Sequence, residues 1–353
     1  MKNDSTKKRH HLQFYPAYFT FPALAIFVLF FAVPVLAGFV LSFTDWNIMR
    51  IFEPKFNGLD NFIYLFTDDN FLLAIKNTIF FAVFTCVGII VIGFLLAFAL
   101  IQKLYARNFY RTVFYMPAVL SLIVVGIMFS SVFRMDGILN RTLEAIGLAS
   151  WCKDWLGDPT TAMLCIIFVQ IWKWSGFSMA IFIAGLQGIS REYYEAATID
   201  GANFWQQLRG ITLPLLTPSF TIVITMNLIG ALKVFEQVYV MTGGGPGYAT
   251  QVLGTYTYQA FSKGLLGRST AMGLVLFVIV TCASLLVNNI LRKKRWNCNA
   301  QEERSLRKNC AYCHYRNCVP DYFCANDDYG IWLLQIRCGS TAVSPHFSDR
   351  VAF

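Results

Sequence analysis

The sequence predicts an all-α fold: a polytopic membrane protein with six transmembrane helices and cytoplasmic N- and C-termini. Three observations carry that reading: an apolar composition, six apolar runs of membrane length, and an uneven distribution of lysine and arginine. Of 353 residues, 56% are hydrophobic and only 14% charged, and the mean hydropathy is +0.51, too apolar for a soluble domain. A hydrocarbon core of about 30 Å takes about 20 apolar residues per helix. Runs of that length lie at 19–43, 78–101, 113–133, 162–186, 215–235 and 271–291. Periodicity alone does not separate such runs from buried helices of a large soluble protein, but six of them in one short chain leave too few residues for a soluble shell.

Residues 1–18 form a polar arm. The first run is longer and later than a signal-peptide core, with no small-residue cleavage site behind it, and is read as a retained span. The segment 44–77 carries Asp45, Trp46, Asp60, Asp68 and Asp69. Within it Gly58-Leu59-Asp60-Asn61-Phe62 reads as a turn opening an interfacial helix. The third-to-fourth loop, 134–161, holds Trp151 and Trp155, read as membrane anchors in preference to ligand contacts.

Orientation follows from cations retained on the cytoplasmic side. Lys2, Lys7, Lys8 and Arg9 precede the first run, and Lys103, Arg107 and Arg111 fill the second loop. Arg191 and Arg209 flank the fourth-to-fifth loop, and Arg292, Lys293, Lys294 and Arg295 follow the last run. The alternate loops are longer and carry fewer: Arg50, Lys55 and Lys76, then Arg134, Arg141 and Lys153, then Lys263 and Arg268. The same rule accounts for most of the net charge of +9, so no nucleic-acid partner is predicted although basic clusters bind phosphate.

The spans exclude several chemistries. None of the four histidines, His10, His11, His314 and His346, lies in a run, which removes axial haem ligands, metal clusters and a histidine proton relay from the membrane domain. Serines and cysteines in the spans have no histidine partner for nucleophilic catalysis. Thr242-Gly243-Gly244-Gly245-Pro246-Gly247 and Gly267-Arg268-Ser269-Thr270 lack the Gly-Lys-Ser/Thr of a phosphate-binding loop. The chain is therefore predicted to carry no catalytic residue, no metal and no cofactor.

Ionisable residues within apolar runs are costly and informative. Lys173 sits in Gln170-Ile171-Trp172-Lys173-Trp174, where it either faces a polar cavity or snorkels along the bundle. Lys233 and Glu236, three apart near the end of the fifth run, either line a cavity or form a local ion pair on one helix face.

The fourth-to-fifth loop is the most specific feature of the chain. Ser190 reads as an N-cap, with Glu192 in an acidic first turn. Gly201 ends that helix, and a second short helix runs over 203–209 before Leu213-Pro214 opens the fifth span. Tyr193, Tyr194, Phe204 and Trp205 are anchors of the kind docking surfaces use. The spacing Glu195-Ala196-Ala197, Asp200-Gly201-Ala202, Ile211, Leu213-Pro214 closely resembles the EAA loop of membrane subunits of ATP-binding-cassette importers. The resemblance extends over about residues 15–295 to the carbohydrate-uptake branch, similar to maltose-type and glycerol-phosphate-type permeases. It is carried by Pro34 with Ser42-Phe43-Thr44-Asp45-Trp46, by Gly58 to Phe62, Asn77-Thr78, Tyr115-Met116-Pro117 and Leu186-Gln187-Gly188-Ile189, and by Thr242 to Pro246.

The resemblance implies a transmembrane domain over 19–295 whose loop, 188–213, couples ATPase closure to alternating access. It implies a second permease subunit, an ATPase dimer that holds ATP and Mg, an extracytoplasmic solute-binding protein, and a lipid bilayer around the whole. Segments matching a sugar cavity point to Trp172, Lys173, Phe177, Asn227, Lys233 and Glu236. A permease for glycerol phosphate, peptide or polyamine is the alternative within the family.

Residues 296–353 depart from the pattern. Six of the ten cysteines, Cys298, Cys310, Cys313, Cys318, Cys324 and Cys338, lie there. Cys310-Ala311-Tyr312-Cys313-His314 matches the c-type haem signature, on a tail predicted to face the wrong compartment for attachment. A membrane-anchored haem- or metal-tail electron carrier is the function class this motif would support. Zinc held by Cys310, Cys313, Cys318 and His314 or Cys324 is a further reading. An out-of-frame or disordered segment is preferred: codons for 321–330 shifted by one base can spell an apolar run, as expected for the first span of a neighbouring permease gene.

Overall fold

The computed structural model describes residues 20–102 and 105–310, with side chains as far as Leu291. The arm 1–18 and the tail beyond 310, with Cys313, His314, Cys318, Cys324 and Cys338, lie outside the described residues. The described chain is helical: α1 Phe21–Leu41, α2 Asp60–Thr67, α3 Asp69–Ile101, α4 Arg107–Val119, α5 Leu122–Phe133, α6 Ile138–Ala145 and α7 Ala162–Gln187. There follow α8 Arg191–Ile199, α9 Phe204–Leu215 and α10 Thr217–Leu232, α11 Glu236–Met241, α12 Leu253–Ser262 and α13 Leu266–Cys310. One isolated bridge, Thr44 to Phe56, is the extent of β pairing among the described residues.

Among the described residues, five helical stretches are long and apolar enough to cross a membrane, and six when the bent pair α9–α10 counts as one. The centre is α7, 61% of whose most apolar stretch is buried, and the outside is α1, with none. α7 packs along α3 and α4, and α10 closes the other side of α3. Three apolar clusters fill the interior. One joins Phe81, Val125, Ile166 and Val238, one Ala97, Met179, Phe182 and Leu216, and one Leu65, Phe71, Leu253 and Met272. Large apolar side chains left outside, such as Phe30, Val83, Leu95 and Leu286, carry little penalty facing lipid, which is as apolar as they are.

Four expectations are corrected. α3 begins at Asp69, well before residue 78, because the side chain of Asp68 accepts from Asn70 N and starts the helix there. The third run is broken: Leu120 and Ser121 are extended between α4 and α5, and the stretch that qualifies as a crossing lies at Leu122–Ala145. Leu213-Pro214 does not open the fifth span but lies inside α9, and the chain bends by 63° at Leu216 before α10. Proline lies on each side of that bend: Pro214 near the end of α9, and Pro218 in the first turn of α10, where a missing N–H costs nothing. Finally, Trp155 is half-buried, its indole Nε1 donating to Asn140 Oδ1 at 2.8 Å, and it packs on the first apolar cluster. It is a core residue, whereas Trp151 is exposed.

Candidate functional site

The loop between α7 and α10 is held by its own hydrogen bonds. Ser190 Oγ accepts from Glu192 N at 3.4 Å and starts α8, satisfying one of the free N–H groups of a helix start. At the other end Ala202 N donates to Ala197 O at 2.9 Å and Gly201 N to Thr198 O at 3.1 Å. This pair of bonds is the Schellman stop, with its left-handed residue at Gly201, where φ is +76°. The spacing of Ala197, Gly201 and Ala202 is thus a physical helix terminator. Asn203 and Gln206 then cap each other's backbone N–H, at 2.9 and 2.7 Å, and begin α9, a reciprocal capping box.

Three further bonds fold α9 onto α8 and its stop. Gln207 Nε2 donates to Thr198 Oγ1 and Ala202 O, both at 3.1 Å. Tyr194 Oη and the buried Thr212 Oγ1 share a hydrogen bond of 3.0 Å. Phe204 meets Phe98 of α3 edge-on at 5.6 Å, fixing the knob to the bundle. With its helix ends capped from within, the knob leaves apolar surface outside: Ile199 is 87% exposed and Trp205 72%, and Tyr193 and Phe204 are exposed too. Glu195, Ala196, Asp200 and Gly201 are exposed, and Ala197, Ala202 and Ile211 are half-buried. Leu213 and Pro214 lie in α9 at the root of the knob, Leu213 exposed and Pro214 half-buried.

The structure does not bring the six cavity candidates together. Trp172 meets Phe129 at 5.1 Å and packs on the first apolar cluster. Phe177 lies about 140° around α7 from it at 100° per residue and meets Trp174 edge-on at 6.0 Å. Asn227 of α10 joins this second face, its Nδ2 donating to Ser178 Oγ at 3.1 Å and Val223 O at 2.8 Å. Lys173 is 1% exposed and its Nζ donates to the carbonyls of Pro117 at 3.1 Å, Ala118 at 3.4 Å and Leu120. Lys233 and Glu236 are exposed, and the helix is broken between them, so the helix-face pair expected from their spacing has no helix to form on. The ion pairs found among the described residues, Arg134 with Asp136 and Lys153 with Asp158, lie elsewhere.

Residues 89–296 match the family described as the binding-protein-dependent transport system inner membrane component. The chain belongs to this family. It is 39% identical over 275 residues to the probable ABC transporter permease protein YurN of Bacillus subtilis, covering 77% of this chain and 94% of YurN. It is 36% identical to the multiple sugar-binding transport system permease protein MsmF of Streptococcus mutans, covering 71% and 86% of the two chains. A chain of the bacterial alginate ABC transporter, solved in complex with an alginate pentasaccharide-bound periplasmic protein, superposes with a TM-score of 0.68 at 25% identity, covering 79% and 94%. The protein is accordingly a multi-pass component of the inner membrane with the ABC permease fold.

Sequence reasoning about this permease missed three kinds of residue. Trp174 shares the Phe177 face, and its i, i+3 spacing within an aromatic run was a usable signal. Gly176 has none: a β-carbon there would stand 1.9 Å from Phe114 O, so the site records a helix approach visible only in three dimensions. Asn61 and Asn77 stand in matched stretches with no role assigned, and Asn140 has no signal; all three tie backbone segments together. Asn61 Nδ2 donates to Ser42 O and Thr44 O at 2.9 Å, and Asn77 Nδ2 to Ala249 O and Gln251 O at 3.1 and 3.0 Å.

Proposed function

We propose that this chain is the permease subunit of an ATP-driven, binding-protein-dependent sugar importer, and that its α8–α9 knob is the coupling element. The observation that carries the reading is a self-capped loop, its helix ends closed by its own side chains and backbone, that leaves Ile199, Phe204 and Trp205 exposed along with Glu195. A surface of that kind is made to be covered by a partner. Glu195, Ala196, Ala197, Asp200, Gly201 and Ala202 form the docking turn, and Ile211, Leu213 and Pro214 transmit its movement to the 63° bend at Leu216. The partner is a separate ATPase dimer that holds ATP and Mg and performs the hydrolysis, this chain having no catalytic role. A second permease subunit completes the path, and a solute-binding protein delivers cargo on the far side.

Sugar is supported by the names of MsmF and of the alginate transporter, and by the Trp174, Phe177, Ser178 and Asn227 face, where rings adjoin hydrogen-bonding groups. In this reading both termini and the knob face the cytoplasm, the permease domain spans 19–295 with its coupling loop at 188–213, and 296–353 is an appendage without a part in transport. The test is uptake of labelled sugars by cells carrying the complete transporter, with Glu195→Lys as the uncoupled control. Uptake that needs ATP and is lost in Glu195→Lys supports the reading. Uptake that survives the substitution refutes the coupling assignment.

A further inference from the structure

The break in the third apolar run is closed by a side chain from another helix. α4 ends at Val119, and Leu120 and Ser121 are extended, with ψ of 147° and 139°. The last carbonyls of a helix have no intrahelical donor and carry the negative end of its dipole. At membrane depth no water is present to satisfy them, so protein must. An ammonium has three donors and no acceptor, and Lys173 of α7 spends them on the carbonyls of Pro117, Ala118 and Leu120. With 1% of its surface exposed, the group is sealed from a passing solute. One turn along α7, Gly176 lies so close to α4 that a β-carbon would meet Phe114 O. A single turn of α7 therefore grips the last two turns of α4. Past the break α5 gains a second neighbour: it packs on α11, with Gly126 against the side chain of Val240, while Phe129 keeps it on Trp172 of α7 at 5.1 Å.

We propose that Lys173 is a positioning residue of the transport cycle, a pin that binds α4 to α7. α7 runs directly into the coupling knob, so the pin makes α4 move with the knob, while the joint at Leu120-Ser121 lets α4 turn relative to α5, which is held by α11 and by Trp172 of α7. The inference rests on the coupling function proposed above. It assigns to Lys173 a role in transmitting movement, and removes it from the groups that touch cargo.

The experiment uses the whole transporter in proteoliposomes, with ATPase, second permease and binding protein, and compares wild type, Lys173→Gln and Lys173→Met. In Lys173→Met the maximal uptake rate is expected to fall about tenfold or more with KM within about twofold, and more ATP is hydrolysed per solute moved. Lys173→Gln, which keeps two donors, falls between. A rise in KM at an unchanged maximal rate would make Lys173 a cargo ligand and overturn the pin, as would a Lys173→Met complex with wild-type rate and ATP cost. If the Met variant does not assemble, the Gln variant carries the same split. If neither assembles, Lys173 serves folding alone and the role in the cycle falls. Wild type is read first: absence of ATP-driven uptake there refutes the function itself, whereas wild-type uptake with a KM-only defect in the variants refutes the pin alone.

Discussion

The two ends of α7 are built on opposite plans. At the Gln187 end the side-chain bonds are local: Ser190 with Glu192, Asn203 with Gln206, Gln207 with Thr198, and Tyr194 with Thr212, the widest, 18 residues apart. At the Ala162 end, beside local ties such as Asn140 with Trp155, others join distant parts of the chain. Asn77 reaches Gln251 across 174 residues, Leu253 N donates to Thr78 Oγ1 across 175, and Tyr256 Oη donates to Asp68 across 188. The second end is cross-tied into a frame that holds its shape without help. The first is closed by local bonds, presents apolar rings, and meets the bundle through Phe204, Thr212 and the bend at Leu216. A frame suits a fixed mouth, and a self-contained knob suits a lever held by a partner.

That contrast is sharpened by substitutions that strike one plan without the other. The largest effect on activity is expected at the knob, where Glu195→Lys or Trp205→Ala should lower ATP-driven uptake about 30-fold or more, the scale of a lost interface hot spot. The melting temperature of the purified protein should not change, because neither side chain is buried. A matching loss of thermal stability would break the contrast by making the knob part of the frame.

At the framed end the order reverses, and stability suffers before transport. Asn140 is 1% exposed; its Nδ2 donates to Met135 O and Lys153 O at 3.0 and 2.9 Å, and its Oδ1 accepts from Trp155. Asn140→Ala strands several buried groups at once, and about 2–4 kcal/mol of stability should be lost, at about 1–3 kcal/mol per unsatisfied group. A detergent melting curve measures it. Asn77→Ala removes a half-buried tie to the same frame, where water can replace part of what is lost, and should cost about 1 kcal/mol. An Asn77 variant more damaging than the Asn140 variant would show that the tie to residues 248–251 outweighs burial.

Much of this was legible in the sequence because membrane physics acts on short segments. Apolar length located five of the six spans directly, and the stop at Ala197-Gly201-Ala202 is a local backbone motif that residue types reveal. The broken third run was illegible, because 113–133 is apolar throughout and its break is stabilised by Lys173, more than 50 positions away. For the same reason the sequence leaves Lys173 between a cavity and a snorkelling side chain: it shows a costly cation, and only the fold shows the three carbonyls that accept its hydrogen bonds. Trp172 and Phe177 are named together because their segment matches one that lines a sugar cavity in the family, and a helix of 3.6 residues per turn sends the two to different faces.

The smallest effect, and the one that tests whether the frame extends to its exposed edge, concerns Asp158 in the loop before α7. Its Oδ1 accepts from Thr160 N at 2.9 Å and Thr160 Oγ1 at 2.7 Å, and its Oδ2 from Lys153 Nζ at 3.2 Å. The backbone bond from Thr160 comes first, then that residue's hydroxyl, with Lys153 adding less, and together they hold the carboxyl below the usual carboxylate range against a smaller opposing effect of burial. A carboxyl depressed by folding stabilises fully above its unfolded pKa, about 3.9, and loses that contribution as pH falls through the lower folded value. Asp158→Asn keeps an acceptor for Thr160 but gives up the charge, so its melting temperature should sit slightly below wild type at neutral pH. The gap should hold down to about pH 5 and close below about pH 4, as the wild-type carboxylate itself is protonated. A gap that persists undiminished at the acid end would mean that Asp158 acts through shape alone, and that the framed end owes nothing to charge at its rim.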